Sequence, residues 1–454
     1  MSPRRFDAVV VGAGPAGSTT AILLARAGWS VALVEKALFP RRKVCGECIA
    51  ASNLGLLDAL GIGPQVAAQA GPELRQVALM QGARIVMADL PAADAPGPPW
   101  GFALGRETLD TLLLARARAE GVHVMQPFAL LDISGPPGDH VCVVREVGGA
   151  HAATGRTAGT QKLHAAAVVA AHGSWEPLPS ERALARTRPR ASDLLAFKAN
   201  FTGAALTDGV LPVLSARGAY GGMVVADGAI TTLACCVRRD QIEASRRLTP
   251  QFNAGTAVEA FWKRECCGVS AALDGAQRVG PWLASGPLRP GLRLQGEGGI
   301  FRVGNAAAEA HPIIGEGMSM AMQSAWLLCG HLLETPERPA RPGPAAVLWH
   351  QRVQERYAAH WRREFRQRLR LAACFAHLAM RPALMRPAFA LLQKWPGILT
   401  QGAVWGGKTR SAVSSDQIES AVANCRTAVV SGQPEASASF GASGIPQAQH
   451  HRKA

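Results

Sequence analysis

The chain has 454 residues, of which 48% are hydrophobic and 18% charged, enough to bury a large core shared by two closely packed domains. Its net charge is +15, yet no recognised nucleic-acid module accompanies that charge, so nucleic acid is excluded as the partner. The opening residues run straight into a first strand with no signal peptide ahead of it, no uncharged apolar run reaches the roughly 18–20 residues that span a bilayer, and the 10 cysteines read as thiols of a reducing compartment. A cytoplasmic protein is expected, peripheral at the inner membrane surface at most.

Taken in chain order, Phe6 to Glu35 give the first element. Val9, Val10 and Val11 form the β-branched run of a strand buried on both faces, and Gly12-Ala13-Gly14-Pro15-Ala16-Gly17 turn it into an apolar helix. Val31 to Val34 then make a second strand that ends on Glu35. In such a βαβ unit Gly12 permits the tight turn, Gly14 leaves room for a pyrophosphate against the backbone, and Gly17 lets helix and strand pack closely. The phosphates sit on the free amides at the positive end of the helix that opens at Pro15 and Ala16. Glu35, followed by Lys36, can accept bonds from a ribose diol and would repel a cofactor carrying a 2′-phosphate. Next, Phe39 to Cys48 carry the basic stretch Arg41-Arg42-Lys43 and a Cys45-x-x-Cys48 pair. The pair reads either as a redox disulfide or as small buried structure. No second Cys or His pair stands at ligand spacing, so no metal site is expected.

Gly105 to Leu114 read as a helix opened by Arg106, and Ala165 to Ala170 as a strand ending at His172-Gly173. Four runs, Leu194 to Phe201, Gly209 to Leu214, Gly222 to Ala226 and Ile230 to Val237, predict a mainly antiparallel sheet. A strand ending at Gly304-Asn305, a turn at His311-Pro312, and Gly315, Gly317 and Met318 leading into an apolar helix follow. From Trp349, a stripe of Val353, Tyr357, Trp361, Phe365 and Leu369 at four-residue spacing predicts a long helix rich in arginine. The apolar, Pro-punctuated Leu371 to Leu399 comes after it. Basic and amphipathic together, this region suits either weak contact with an anionic membrane surface or an acyl carrier protein, or packing back onto the body with a solvated basic face. From Ser411 the composition becomes that of a disordered tail.

With both glycine-rich motifs in this order, the chain resembles the FAD superfamily that contains the single-component aromatic hydroxylases and the geranylgeranyl reductases. The resemblance covers roughly residues 5 to 335 and implies an FAD-dependent oxidoreductase that takes hydride from transiently docked NAD(P)H. It implies an α/β fold: a Rossmann-like FAD-binding domain of the glutathione-reductase type, an inserted antiparallel α+β substrate domain and a C-terminal helical region. The expected segments are 1–190 and 291–335 for the FAD domain, 191–290 for the substrate domain, 336–410 for the basic helices and 411–454 for the tail. By the same resemblance Arg106 reaches the cofactor phosphates, and Asn305 replaces an Asp while keeping an oxygen for a ribityl or ribose hydroxyl. The amides at Gly315, Gly317 and Met318, after the turn at Pro312, point at the flavin pyrimidine ring. His172 stands where the hydroxylases carry an Asp. The stretch Pro40-Arg41-x-Lys43-x-Cys45-Gly46 is similar to that of the reductases, whose Cys lies near the flavin, which marks Cys45. A Tyr-x-Trp-x-Phe-Pro stretch of the reductases is not matched at Tyr220-Gly221-Gly222-Met223, and the halogenase Trp-x-Trp-x-Ile-Pro signature is absent. The expected activity is monooxygenation of a bulky apolar substrate (aromatic, polyketide or lipid-like), with double-bond reduction as the alternative and thiol-disulfide exchange behind both.

Overall fold

A computed structural model describes residues 4–413 except 94–96, 149–158, 175, 182–187, 295, 336–338 and 340–341. The expected tail beyond Val413 therefore lies outside the described residues. Strand β1 (Arg4–Val11), helix α1 (Pro15–Arg26) and strand β2 (Val31–Val34) form the βαβ unit, the two strands parallel with Val10 opposite Leu33. Seven strands make the sheet around it. From one edge their order is His123–Met125, β2, β1, Thr160–Ala170, His140–Glu146 and Phe128–Ser134, with Phe301–Arg302 paired to the C-terminal end of Thr160–Ala170. The central strands run parallel and are covered on both faces, which is why they read as unbroken apolar runs: Val9, Val10, Ala167, Val168 and Val169 have no exposed surface. Helix α2 (Arg106–Ala119) and helix α3 (Gly317–Glu334) pack with α1 on one face of this sheet.

A second seven-stranded sheet is mainly antiparallel. Its order is Gln277–Ser285, Leu194–Thr202, Thr231–Arg238, Ala219–Val225, Val210–Ala216, Gln76–Gln81 and Arg84–Asp89. The last two strands come from the stretch assigned by sequence to the first part of the cofactor domain, and Gln76–Gln81 joins Val210–Ala216 in parallel. The chain thus contributes to this sheet before the inserted segment begins.

Three further helices, α4 (Pro344–Ala379), α5 (Pro382–Lys394) and α6 (Gly397–Gly406), follow. Trp349, Val353, Tyr357, Trp361 and Phe365 bury the α4 stripe in the same core as α1 and α3, so that stripe is internal packing. Among the described residues no helix is long and apolar enough to cross a membrane.

Two carboxylates tie the sheets together. Glu47, 2% exposed and at φ 60°, pairs with Lys198 of the second sheet, accepts from Thr232 Oγ1 at 2.5 Å and accepts from the Arg106 backbone amide at 3.1 Å. Asp227 of the second sheet accepts from Gly105 N and Thr108 Oγ1, both at 2.5 Å, placing an anion at the N-terminus of α2. A fully desolvated pair contributes little net stability, but breaking it strands a charge. Glu47→Gln is therefore expected to lower the unfolding free energy by about 3–5 kcal/mol, with Glu47→Leu/Lys198→Leu recovering much of it. Equal denaturant midpoints for Glu47→Gln and wild type would contradict this assignment.

Candidate functional site

The three glycines of the first motif differ in what surrounds them. Gly12 sits at φ 101°, where a Cβ would stand 2.6 Å from the Ala171 carbonyl oxygen; a Cβ on Gly17 would stand 1.8 Å from the Gly12 oxygen. Both are required by the chain's own packing. Gly14 is at φ −72°, and a Cβ there meets only Arg106 Nη2, at 3.4 Å. Neither backbone strain nor a backbone contact demands glycine at that position. Pro15, which has no amide hydrogen, fills N1 of α1, and the helix N-terminus has no side-chain cap, so the amides of Ala16 and Gly17 are left without an intrahelical partner.

A cavity of 540 Å³ is lined by Gly12, Gly14, Glu35, Lys36, Arg41, Lys43 and His172. Glu35 is anchored, its two carboxylate oxygens accepting from Ala13 N and Ala37 N at 2.9 Å each, with Arg41 Nη2 at 3.5 Å. Lys36 pairs with Glu176 at 2.9 Å. Arg106 is held by a bidentate bond to Asp110 at 2.7 Å on both arms, and Arg41 also approaches Asp110 at 3.6 Å. Lys43 completes the cationic group. Its ammonium is pushed down to about 8 by burial and by the charges of Arg106 and Arg41. Both ring nitrogens of His172 are buried without a hydrogen-bond partner, and burial holds its pKa down at about 4. Crowded cations, an orphaned imidazole and a glycine cradle fit a pyrophosphate-bearing dinucleotide.

The second motif lies against the first. Gly304, at φ 59°, would place a Cβ 2.9 Å from the Ala16 Cβ, and its amide donates to Ser324 Oγ at 2.8 Å. Asn305 donates from Nδ2 to Ser174 Oγ at 2.9 Å, committing its nitrogen rather than its oxygen. Pro312 opens a short turn to Ile314, Gly315 is left-handed at φ 64°, and Gly317 starts α3, with Met318 buried in the core. Around this helix start stand Glu316, fully buried, and Lys408, whose Nζ is 2.9 Å from Glu316 Oε1. His311 bonds Tyr220 Oη at 3.0 Å, and its pKa is lowered to about 4 by burial and by His377.

The two cysteines separate. Cys45 interacts with the Arg106 guanidinium and accepts from Glu47 N at 3.4 Å. A Cβ on Gly315 would be 3.6 Å from the Cβ of Cys48, whose thiol burial pushes up to about 11. Both are free thiols. Sequence reading singled out Cys45; the structure brings Cys48 to the start of α3. Missed altogether were Lys198, a cation inside the apolar run Leu194 to Phe201, and the Glu316–Lys408 pair.

Because a side chain at Gly14 meets only the end of Arg106, Gly14→Val is expected to fold with an unchanged far-ultraviolet circular dichroism spectrum and to lose bound dinucleotide. A purified Gly14→Val protein that retains stoichiometric cofactor absorbance would show that the pyrophosphate lies elsewhere.

Comparison with known proteins agrees with this geometry. Residues 5–342 match the model of the FAD binding domain family. A tryptophan 2-halogenase of Chondromyces crocatus is 38% identical over 132 residues, which is 29% of this chain and 24% of that protein. A menaquinone reductase of Mycolicibacterium smegmatis is 32% identical over 130 residues, 29% of this chain and 31% of the reductase. The matched stretch thus spans less than a third of either relative. The fold is shared with the myxobacterial chondrochloren halogenase CndH, at a TM-score of 0.68 and 19% identity over 94% of this chain and 97% of the halogenase. Through residues 5–342 this chain belongs to the FAD binding domain family.

Proposed function

We propose that the protein is a single-component monooxygenase acting on a bulky, largely apolar substrate (aromatic, polyketide or lipid-like), with NAD(P)H as a transient co-substrate. Its cofactor domain is read as the glutathione-reductase type. The observation that carries the reading is the seam where the Lys43–Cys48 loop and the His311–Ile314 turn meet the second sheet. Val44 and Ile313 pack there with Tyr220, Leu288 and Ala376, a buried apolar wall beside the start of α3. A wall of this kind would keep water from the reacting centre and would border an apolar substrate.

Bound FAD supplies the redox chemistry, accepting a hydride and passing the electron pair on. The chain's own residues do the holding. Arg106, Lys43 and Arg41 would neutralise the pyrophosphate, with Gly14 and the α1 amides beneath it. Glu35 would receive the ribose hydroxyls, His172 would offer a neutral imidazole to the same region, and Asn305 would meet the ribityl chain. The amides at Gly317 and Met318 would face the pyrimidine ring, whereas that of Gly315, expected to join them, is spent on the Pro312 carbonyl oxygen at 2.9 Å, because the residue closes the turn before α3. Cys45 and Cys48 border this path, and neither takes a covalent role in the proposal.

Double-bond reduction is the second reading, supported by the Lys43-Val44-Cys45-Gly46 stretch and by the similarity to a menaquinone reductase. The halogenase likenesses support an oxygen-using route in general, while the buried Lys198 is committed to Glu47. Thiol-disulfide exchange is disfavoured by two unjoined thiols, one of them resistant to ionisation. Unpaired thiols throughout the nine described cysteines suit a cytoplasmic setting.

Isotope labelling separates these chemistries. Turnover under labelled dioxygen is expected to place one labelled atom in the product, with NAD(P)H and oxygen consumed in equal amounts. Full-rate product formation under strict anaerobiosis would replace monooxygenation by reduction, and a product carrying halogen only when halide is added would replace it by halogenation.

A further inference from the structure

Helices α5 and α6 are apolar on two faces. Their inner faces are spent on packing: Met385, Phe389 and Leu392 bury against Leu79 and Val86, and Leu399 and Ala403 pack on the cluster that contains Cys48. The outer faces carry a second apolar set. Leu384 (51% exposed) and Leu391 (47%) are seven residues apart on α5, and Ile398 (40%) and Trp405 (54%) are seven apart on α6, with Trp395 (51%) at the corner. Seven residues is nearly two turns, so each pair lines up along one ridge.

Charge flanks this ridge with one sign. Residues 381–407 contain Arg381, Arg386 and Lys394, all exposed, and no acidic residue; Lys394 Nζ lies 4.8 Å from the Trp395 ring centre. The adjoining half of α4 exposes Arg362, Arg366 and Arg370. Large apolar side chains and two tryptophans flanked mainly by cations, with Asp89 beside Thr400 of α6 as an acidic neighbour, match a surface that is apolar below and anionic above.

We propose that the α5–α6 hairpin docks the protein on an anionic lipid bilayer, with Leu384, Leu391, Trp395, Ile398 and Trp405 entering the interface and Arg386 and Lys394 meeting the headgroups. The membrane is the occupant because the patch needs both an apolar and an anionic partner; a folded acidic protein supplies the charge without the hydrocarbon. Since α6 packs on the Cys48 cluster next to Gly315, docking puts the ring end of the cofactor site beside the bilayer. A lipid-dissolved substrate would then reach it directly, a consequence that rests on the apolar-substrate reading, whereas the docking does not.

Flotation of the full-length, FAD-loaded protein with phosphatidylcholine vesicles containing phosphatidylglycerol tests this without any turnover. Binding is expected with the anionic vesicles and is expected to fall on phosphatidylcholine alone and at high salt. Trp395→Ser/Trp405→Ser should lose binding by more than about tenfold. Arg386→Glu/Lys394→Glu should lose the preference for anionic vesicles by about five-fold per charge or more. These positions are exposed, so retained flavin absorbance verifies folding. Absence of binding, equal binding to both vesicle types, or unchanged binding of both variants overturns the proposal. So does a change from dimer to monomer in either variant by light scattering, which would give the ridge to a second copy, or capture by an acyl carrier protein with no vesicle binding.

Discussion

Crowding of Arg41, Lys43 and Arg106 around two shared carboxylates is the constraint on which the site depends. Arg106 stands over Gly14 at the uncapped end of α1, with Arg41 and Lys43 beside it, and the carboxylates among them are shared: Asp110 by Arg106 and Arg41, and Glu35 by two backbone amides and Arg41. The cost shows in Lys43, whose ammonium is disfavoured by burial and by its neighbours. A doubly charged pyrophosphate relieves this repulsion and satisfies the helix amides at once. The cofactor would thus be anchored near its pyrophosphate, leaving the ring end to be shaped by other elements.

The ring end is assembled across the two sheets. Glu47 and Asp227 reach between them from opposite sides, one holding Lys198 and Thr232, the other covering the start of α2. Arg106 belongs to both systems, its guanidinium over Gly14 and its amide on Glu47. Movement of the second sheet would therefore be felt at the phosphate site. The buried pair Glu316–Lys408 plays a comparable part at the start of α3, where a carboxylate next to the helix N-terminus is balanced by a cation from beyond α6.

What the sequence made legible is what local stereochemistry dictates. Gly12 and Gly17 are legible because backbone atoms occupy the space of their side chains, the parallel strands because both their faces are covered, and the α4 stripe because four-residue spacing makes one face. Gly14 was legible for a different reason, the repeated pairing of strand, turn and helix. What stayed hidden is non-local. Glu47 and Lys198 are 151 residues apart, and nothing in either neighbourhood announces the other. The hairpin Gln76–Asp89 has ordinary strand composition, and its membership of the second sheet is set by a partner at Val210–Ala216. Cys45 and Cys48 look equivalent in a C-x-x-C stretch; the left-handed Glu47 between them sends one toward Arg106 and the other toward Gly315.

If the cationic cradle anchors FAD, calorimetric titration of the apoprotein with ADP and with riboflavin shows it. ADP is expected to bind, to compete with FAD and to weaken as salt is added, while riboflavin, lacking the pyrophosphate, is expected to bind far more weakly than FAD. Riboflavin binding as tightly as FAD, with no heat from ADP, would contradict it.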